Sequence, residues 1–387
     1  MKGQFSLNKA QEMMRKNIRR LAEEQIAPRV AQIEATETFP ADIVELFRKQ
    51  KLMGMAFPTE YGGGGGDEVI LCILMEELSR VFSDSVLWCC VSQLGAQPIL
   101  LAGSEAQKRR YMPDLASGKT MCALGLTEPE AGSDVAGLRT SAVRDGDHYV
   151  LNGGKRFISL GNVADYVTIF AKTDPSARHK GLSVFLVEKG TPGFTVARLE
   201  DKLGWRSTPT AELVLKNCRV PVENLLGVEG QGWEIAMRTL DLTRPGVGAI
   251  GVGIAQGAYE TALGYAKERK AFGAPIASFQ AIQLKLADMA IDIEAARLLV
   301  YKAAALVDEE SPLVPYYASI AKTFATDAAM RVTTEAIQVL GGSGYIKDFA
   351  VERYFREAKL TQIFEGANEV QRLNIAREVL REGSSMV

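Results

Sequence analysis

Histidine is almost missing from this sequence. Only His148 and His179 occur in 387 residues, both in polar surroundings, and two isolated imidazoles argue against a histidine-based triad or a zinc site. A catalytic base must then come from another residue type. Cysteine is scarce as well. Cys72, Cys89, Cys90, Cys122 and Cys218 are odd in number, mostly in apolar settings and without paired metal spacing, so they read as buried free thiols. An excess of either charge is also lacking, since 45 Lys and Arg stand against 47 Asp and Glu, for a net charge of −2. That balance offers no field for capturing nucleic acid or an anionic membrane, and any phosphate-bearing ligand must be held locally. No run approaches the roughly 20 apolar residues of a membrane span. The start, Met1-Lys-Gly-Gln-Phe-Ser-Leu-Asn8, lacks the apolar core of a signal peptide. The expected compartment is the cytoplasm, or the mitochondrial matrix for a mature eukaryotic form.

What is present is core. Apolar residues make up 47% of the chain, and the length suggests two or three domains. Helical spacing is expected over residues 5–35 around Leu21, Ile26 and Val30, over Ala41 to Lys49, over Glu68 to Arg80 and over Val86 to Leu101. The glycine run at 62–66 lacks the Lys-Ser/Thr ending of a phosphate loop and no strand precedes it, so it reads as chain reversal. Trp88, Cys89, Cys90 and Val91 read as core or as the wall of an apolar pocket.

After Gly118 the period changes. Short β-branched or aromatic runs begin at His148, Tyr166, Leu182, Phe194 and Glu212, separated by Gly, Asp and Pro turns, and mark an all-β insert over roughly residues 122–225. Helical spacing returns at Gln231 in segments near 231–269, 278–309, 312–340 and 368–382, which suggests an antiparallel bundle. The expected units are 1–120, 121–228 and 229–387.

Near the end, Thr361-Gln-Ile-Phe-Glu-Gly-Ala-Asn-Glu-Val-Gln-Arg372 breaks a helical pattern at Gly366 and restarts it almost at once. Glu365 sits at the break. Alone it reads as a solvated helix-end glutamate. Beside a glycine and after Ile363 and Phe364, it also suits a partly desolvated base that attacks carbon. Four further segments accompany it, namely Leu124-Gly-Leu-Thr-Glu-Pro-Glu-Ala-Gly-Ser-Asp-Val-Ala-Gly137, Gly154-Lys-Arg-Phe-Ile-Ser159, Glu268-Arg-Lys-Ala-Phe-Gly273 and Gln338-Val-Leu-Gly-Gly-Ser-Gly344. Together, in this order and over essentially the whole chain, they closely resemble the acyl-CoA dehydrogenase family.

The resemblance implies a mainly α fold with a β insert: an N-terminal helical domain, a middle β-barrel domain and a C-terminal four-helix bundle. It implies a homotetramer built as a dimer of dimers, with FAD held non-covalently across the dimer. By matching positions, Leu126, Thr127, Gly132, Ser133, Phe157 and Ser159 surround the isoalloxazine and pyrophosphate within one subunit. Arg269, Phe272, Gln280, Gln338 and Gly342 reach the adenosine and pyrophosphate from the neighbour, where an arginine suits phosphate oxygens. Ala367 and Glu369 fall in the last flavin loop, and Ala367 departs from a common threonine there.

Glu365 falls on the family's usual base position. Some relatives carry the base on the helix holding Leu240-Asp-Leu-Thr-Arg-Pro245, where this chain has Thr243, which cannot serve. Arg244 is then expected to support the site or the CoA chain, and Asp241 and Ser133 match CoA-contacting positions. The implied reaction removes the α-proton of an acyl-CoA through Glu365 while the β-hydride passes to flavin, giving a trans-2-enoyl-CoA. Phe364 packs against the acyl chain, and electrons pass on to an electron-transfer flavoprotein. An oxidase of the same fold, or a dehydrogenase for a dicarboxylic acyl-CoA such as glutaryl-CoA or a substituted succinyl-CoA, is the alternative. Trp88, Cys90 and Val91 give an apolar pocket segment without arginine, which argues against a free carboxylate on the substrate. Short-to-medium, branched and cyclic monocarboxylic groups stay open.

Overall fold

A computed structural model describes residues 7–382. Residues 1–6, which carry part of the leader-segment reading and the start of the helix expected from residue 5, lie outside it, as do residues 383–387 of the last expected unit. Helix α1 (Lys9–Leu21) begins at Asn8, whose side chain accepts from the N–H groups of Ala10 and Gln11 while Gln11 reaches back to the Asn8 N–H. The expected single helix does not run through. It passes into a π turn at Ala22–Ile26 and a 3-10 turn at Ala27–Arg29, and resumes as α2 (Val30–Thr36). Pro28 supplies the reason, because it lacks an N–H and its ring crowds the preceding turn.

After α3 (Ala41–Lys49) the glycine run lies against another loop. The N–H groups of Gly64, Gly65 and Gly66 donate to the carbonyls of Gly54, Phe57 and Met55. A Cβ at Gly63 would lie 2.1 Å from the Phe57 carbonyl oxygen. These donors are occupied by the chain itself, which agrees with the chain-reversal reading. The run leads into α4 (Glu68–Val81), α5 (Asp84–Ala102) and α6 (Glu105–Ala116). Helix α5 corrects one expectation, since by length and composition it could cross a membrane. Ser92, Gln93 and Gln97 interrupt the apolar run and hid it from inspection, and 67% of its most apolar window is buried within the protein. It is a core helix.

The middle region forms one eight-stranded sheet, of which the sequence indicated five strands. The strands are β1 (Cys122–Gly125), β2 (Ser141–Asp145), β3 (His148–Ser159), β4 (Tyr166–Lys172), β5 (Leu182–Glu188), β6 (Phe194–Leu199), β7 (Thr210–Pro221) and β8 (Leu225–Leu226). Those not foreseen, β1, β2 and β8, are too short to display a period. The order is β6-β7-β3-β2-β4-β5-β8, with β1 parallel to β4. The sheet curls far enough for β5 to touch β7, so it is barrel-like, with a ladder left open at β6 and β8.

Helix α7 (Gly232–Glu268) then starts the C-terminal helices, followed by the hairpin β9 (Lys270–Ala271) and β10 (Ala274–Pro275), α8 (Gln280–Asp308) and α9 (Val314–Leu340). Helix α10 (Val351–Thr361), which the sequence marked only by the helical pattern broken at Gly366, precedes α11 (Asn368–Glu382). Helices α7, α8 and α9 pack on one another, and both α10 and α11 lie on α9. Buried Gly248 and Gly251 on α7 face Ala321 and Ala325 on α9, which lets the two backbones approach closely. That seam brings Thr243, Arg244 and Lys322 to the break between α10 and α11.

Candidate active site

The turn between α10 and α11 is held in an uncommon conformation. Glu365 has φ 52° and Gly366 φ 96°, a left-handed pair that is costly for glutamate and natural for glycine. A Cβ at Gly366 would also lie 2.2 Å from Gln371 Nε2. From this turn the Glu365 carboxylate reaches α7, where Thr243 Oγ1 donates to Oε2 at 2.7 Å. Arg244 Nε approaches the Glu365 carbonyl oxygen at 3.4 Å, and its guanidinium pairs with Asp241. From α9 the buried Lys322 donates to the Gly366 carbonyl at 2.8 Å and to Asn368 Oδ1 at 2.8 Å.

Burial pushes the Glu365 carboxyl up to about 7, against the Thr243 hydrogen bond and the charges of Arg244 and Lys322, which favour the anion. Burial lowers Lys322 to about 8, against the pull of Glu365. Asp241 is raised by burial despite Arg244. A carboxylate tuned to near neutrality is matched to proton abstraction at physiological pH. The sign is definite: a carboxylate abstracts a proton only when deprotonated, so any reaction that uses Glu365 as base should slow as pH drops below about 7. A stopped-flow pH series checks this, and a limb near the ordinary carboxylate range would refute the environment described.

A second group of residues lines up along β3 and the segment after β1. Lys155, fully buried, donates to Glu128 at 2.7 Å and to the Leu126 carbonyl at 3.1 Å, while Glu128 also accepts from the N–H groups of Arg139 and Thr140. The Arg156 N–H donates to the Thr127 carbonyl at 2.9 Å. The Leu126–Thr127 backbone is thereby fixed over β3. Phe157 sits at a register shift in the β3–β7 pairing, with φ 61° and 56% exposure. The Arg156 guanidinium covers its ring at 4.7 Å. Among the described residues the hydroxyls of Thr127, Ser133 and Ser159 make no hydrogen bond, and Gly132 and Ser133 are exposed. An exposed ring at a strained bulge beside free hydroxyls and main chain fits a flat heterocycle.

Trp205 joins the two groups. Its loop accepts the Leu160 N–H at Pro209 O, next to Ser159, and its ring packs 6.2 Å from that of Phe364. The indole N–H donates to the Glu357 carbonyl at 3.0 Å. The other expected cofactor residues lie apart from this crevice. Arg269, Phe272 and Gln280 are exposed around the β9–β10 hairpin, and Gln338 and Gly342 are exposed at the end of α9. No hydrogen bond, ion pair or ring contact joins them to the Leu126–Ser159 set among the described residues. Phe272 is 98% exposed, which is extreme for an aromatic side chain. Ala367 is half-buried in the base turn, and Glu369 is exposed on the first turn of α11.

On α5 the structure separates residues that the sequence grouped. Leu87 and Leu94, seven positions apart, are the partly open face, and Cys90 and Val91 lie on that same stripe. Trp88 does not. It is fully buried edge-on against Phe39 and Phe82, so it belongs to the core and not to a pocket wall. Sequence reasoning missed Lys322, Asn368, Trp205 and the Lys155–Glu128 pair. For Lys322 a signal existed, because it is the only Lys or Arg from 314 to 330, a largely uncharged stretch whose single acid is Asp327.

Family models for the acyl-CoA dehydrogenase N-terminal, middle and C-terminal domains match residues 8–119, 123–218 and 230–380. The chain is similar to the short-chain specific acyl-CoA dehydrogenase of Clostridium acetobutylicum, 46% identical over 97% of this chain and 100% of the relative. It is also similar to cyclohexane-1-carbonyl-CoA dehydrogenase of Geobacter metallireducens, 44% identical over 98% and 100%. Among solved structures, it resembles a chain solved in work on the electron transferring flavoprotein of Acidaminococcus fermentans (TM-score 0.96, 44% identity, 98% and 100% covered). Butyryl-CoA dehydrogenase from Megasphaera elsdenii matches with TM-score 0.95 and 41% identity over 98% and 100%. The glutaryl-CoA complex of a glutaryl-coenzyme A dehydrogenase matches with TM-score 0.93 and 37% identity over 98% and 97%. An FAD complex of PigA matches with TM-score 0.92 and 27% identity over 98% and 100%.

Proposed function

The chain belongs to the acyl-CoA dehydrogenase family, and from that premise we propose that it oxidises the CoA thioester of an uncharged carboxylic acid to the trans-2-enoyl-CoA with Glu365 as base. The observation that carries this is the Glu365 carboxylate itself, desolvated, poised near neutrality and aimed at Thr243. FAD is the cofactor of the family, and when bound it takes up the β-hydride. Phe157, Leu126, Thr127, Ser159, Gly132 and Ser133 are the residues to hold it in one subunit. The exposed Arg269, Phe272, Gln280, Gln338 and Gly342 are free to reach a neighbouring subunit's cofactor, which supports a homotetramer built from dimers. Ala367, in the base turn, and Glu369, on the first turn of α11, would add to the residues that hold the cofactor.

Within the site, Thr243 holds one carboxylate oxygen of Glu365, leaving the other to receive the α-proton. Arg244 braces the Glu365 main chain and keeps the Asp241 charge paired, which makes it a support of the turn. Phe364, against the Trp205 ring, is the wall beside the acyl chain, and the stripe of α5 that carries Cys90 and Val91 supplies further apolar lining. Likeness to the Acidaminococcus fermentans chain supports an electron-transfer flavoprotein as the partner that receives the electrons.

The nearest added charge on the α4 side is an acid, since Glu68 lies within the field of Glu365 and burial holds its carboxyl well above the usual carboxylate range. No arginine occurs on α5. A buried ω-carboxylate would stand unpaired there at a cost of about 3–5 kcal/mol. Glutaryl-CoA should therefore be turned over with kcat/KM at least about 10²-fold below that of butyryl-CoA. A panel of straight, branched, cyclic and ω-carboxy acyl-CoAs measures it, and preferential turnover of the ω-carboxy esters would assign the chain to the dicarboxylic class instead.

A further inference from the structure

Lys322 is a buried cation without a counter-ion. Its side chain is fully inaccessible, and among the described residues it forms no ion pair. Burying an ammonium in this way destabilises the fold unless hydrogen bonds and function compensate. Its direct partners are two neutral oxygens, the Gly366 carbonyl and Asn368 Oδ1, each at 2.8 Å and both on the turn that carries Glu365. Asn368 is in turn fully engaged, since its amide donates to Thr326 Oγ1 and Asp327 Oδ1 at 2.8 Å each, and its N–H donates to the Gln362 carbonyl. Gln371 Nε2 adds a second donor to the Gly366 carbonyl at 3.2 Å. The turn is thus bolted to α9 at the carbonyl of the residue after the base.

We propose that Lys322 is the positioning residue for proton abstraction: its ammonium locks the Gly366 peptide, keeps Glu365 in its left-handed conformation, and places a fixed positive charge behind the base. The inference rests on the reading of Glu365 as that base. Two consecutive left-handed residues, one of them non-glycine, are strained and persist only where the surroundings hold them. Lys322 and Gln371 supply that restraint. The charge acts as well. The charged groups acting on Glu365 are Arg244 from α7, paired with Asp241, and Lys322 from α9; Glu68 on α4 lies in the field of Glu365, and Asp327 on α9 and Glu369 at the start of α11 act on Lys322. Both cations favour the Glu365 anion, Arg244 ahead of Lys322; Arg244 is shared with Asp241, and Lys322, which forms no ion pair among the described residues, feels Asp327 and Glu369 only at longer range. Lys322 holds the carboxyl down against burial, and without it the carboxyl would titrate higher.

The test uses the holoenzyme, with Lys322→Met to remove donor and charge and Lys322→Gln to keep a donor without the charge. Limiting flavin bleaching by butyryl-CoA under argon is recorded across pH, with FAD content and affinity for the CoA ester as controls. Lys322→Met should lower the limiting rate about 10²-fold, leave ester affinity near wild type, and move the acid limb to higher pH. Lys322→Gln should move the limb equally while losing less rate, and it decides the matter alone if Lys322→Met does not fold. Wild-type rates with an unmoved limb, or a lowered rate with an unmoved limb, would overturn the proposal. Glu365→Gln run in parallel separates the two ideas: if it is inactive while the Lys322 variants behave as wild type, the positioning role fails and the base stands.

Discussion

Glu365→Gln should abolish flavin reduction by acyl-CoA while leaving folding, FAD content and CoA-ester binding nearly intact. Glutamine keeps the size of glutamate and can still accept the hydrogen bond from Thr243 Oγ1, now made at 2.7 Å, so the left-handed turn and the Lys322 anchor have no reason to move. What is lost is basicity. Removal of a general base alone is worth about 10²–10⁴ in rate, and the site has no understudy. Asp241 is paired with Arg244, Glu68 sits on α4 with its carboxyl raised well above the usual carboxylate range by burial, and Thr243 is a hydroxyl. The measured ratio should therefore fall at or beyond the upper end of that range.

A second large effect is expected far from the base. Lys155→Met should destabilise the protein by about 3–5 kcal/mol, because it leaves Glu128 buried without its cation. Burial alone would raise the Glu128 carboxyl, and Lys155, with the Arg139 and Thr140 N–H groups, holds it below the ordinary value. The substitution also frees the Leu126 carbonyl, so the segment expected to touch the flavin loosens and FAD should dissociate more readily. Adding Glu128→Gln should restore part of the stability, since removing both charges costs far less than stranding one. Urea unfolding of holoenzyme and free-flavin release measure both effects. An unchanged midpoint for Lys155→Met would show that the pair contributes nothing to the fold.

Glu365 stood out only in company: a glutamate and a glycine after two apolar residues read alone as a solvated helix end, and the four other segments along the chain made it the candidate base. The three kinds of region were legible from period alone, and so were the long helices. What escaped depends on contacts that no local window contains. Lys322 meets Gly366 across 44 residues and Trp205 meets Glu357 across 152, and neither partner carries any mark of the other. The π turn before Pro28 required knowing that packing would keep the helix going past a proline. Trp88 shares its helix with Cys90 and Val91, and only the positions of Phe39 and Phe82 decide that its ring turns into the core. The apolar character of α5 was diluted by polar residues that burial satisfies, Ser92 at the Cys122 N–H and Gln93 at the Met53 carbonyl.

The most direct measurement of the central claim moves the base. Thr243 Oγ1 already touches the Glu365 carboxylate, so a carboxylate grown from position 243 can reach nearly the same point. The variant combining Thr243→Glu with Glu365→Gln, mixed with butyryl-CoA under argon in a stopped-flow instrument, should bleach its flavin measurably faster than Glu365→Gln alone. Near-normal bleaching by Glu365→Gln itself, at unchanged substrate affinity, would contradict the account.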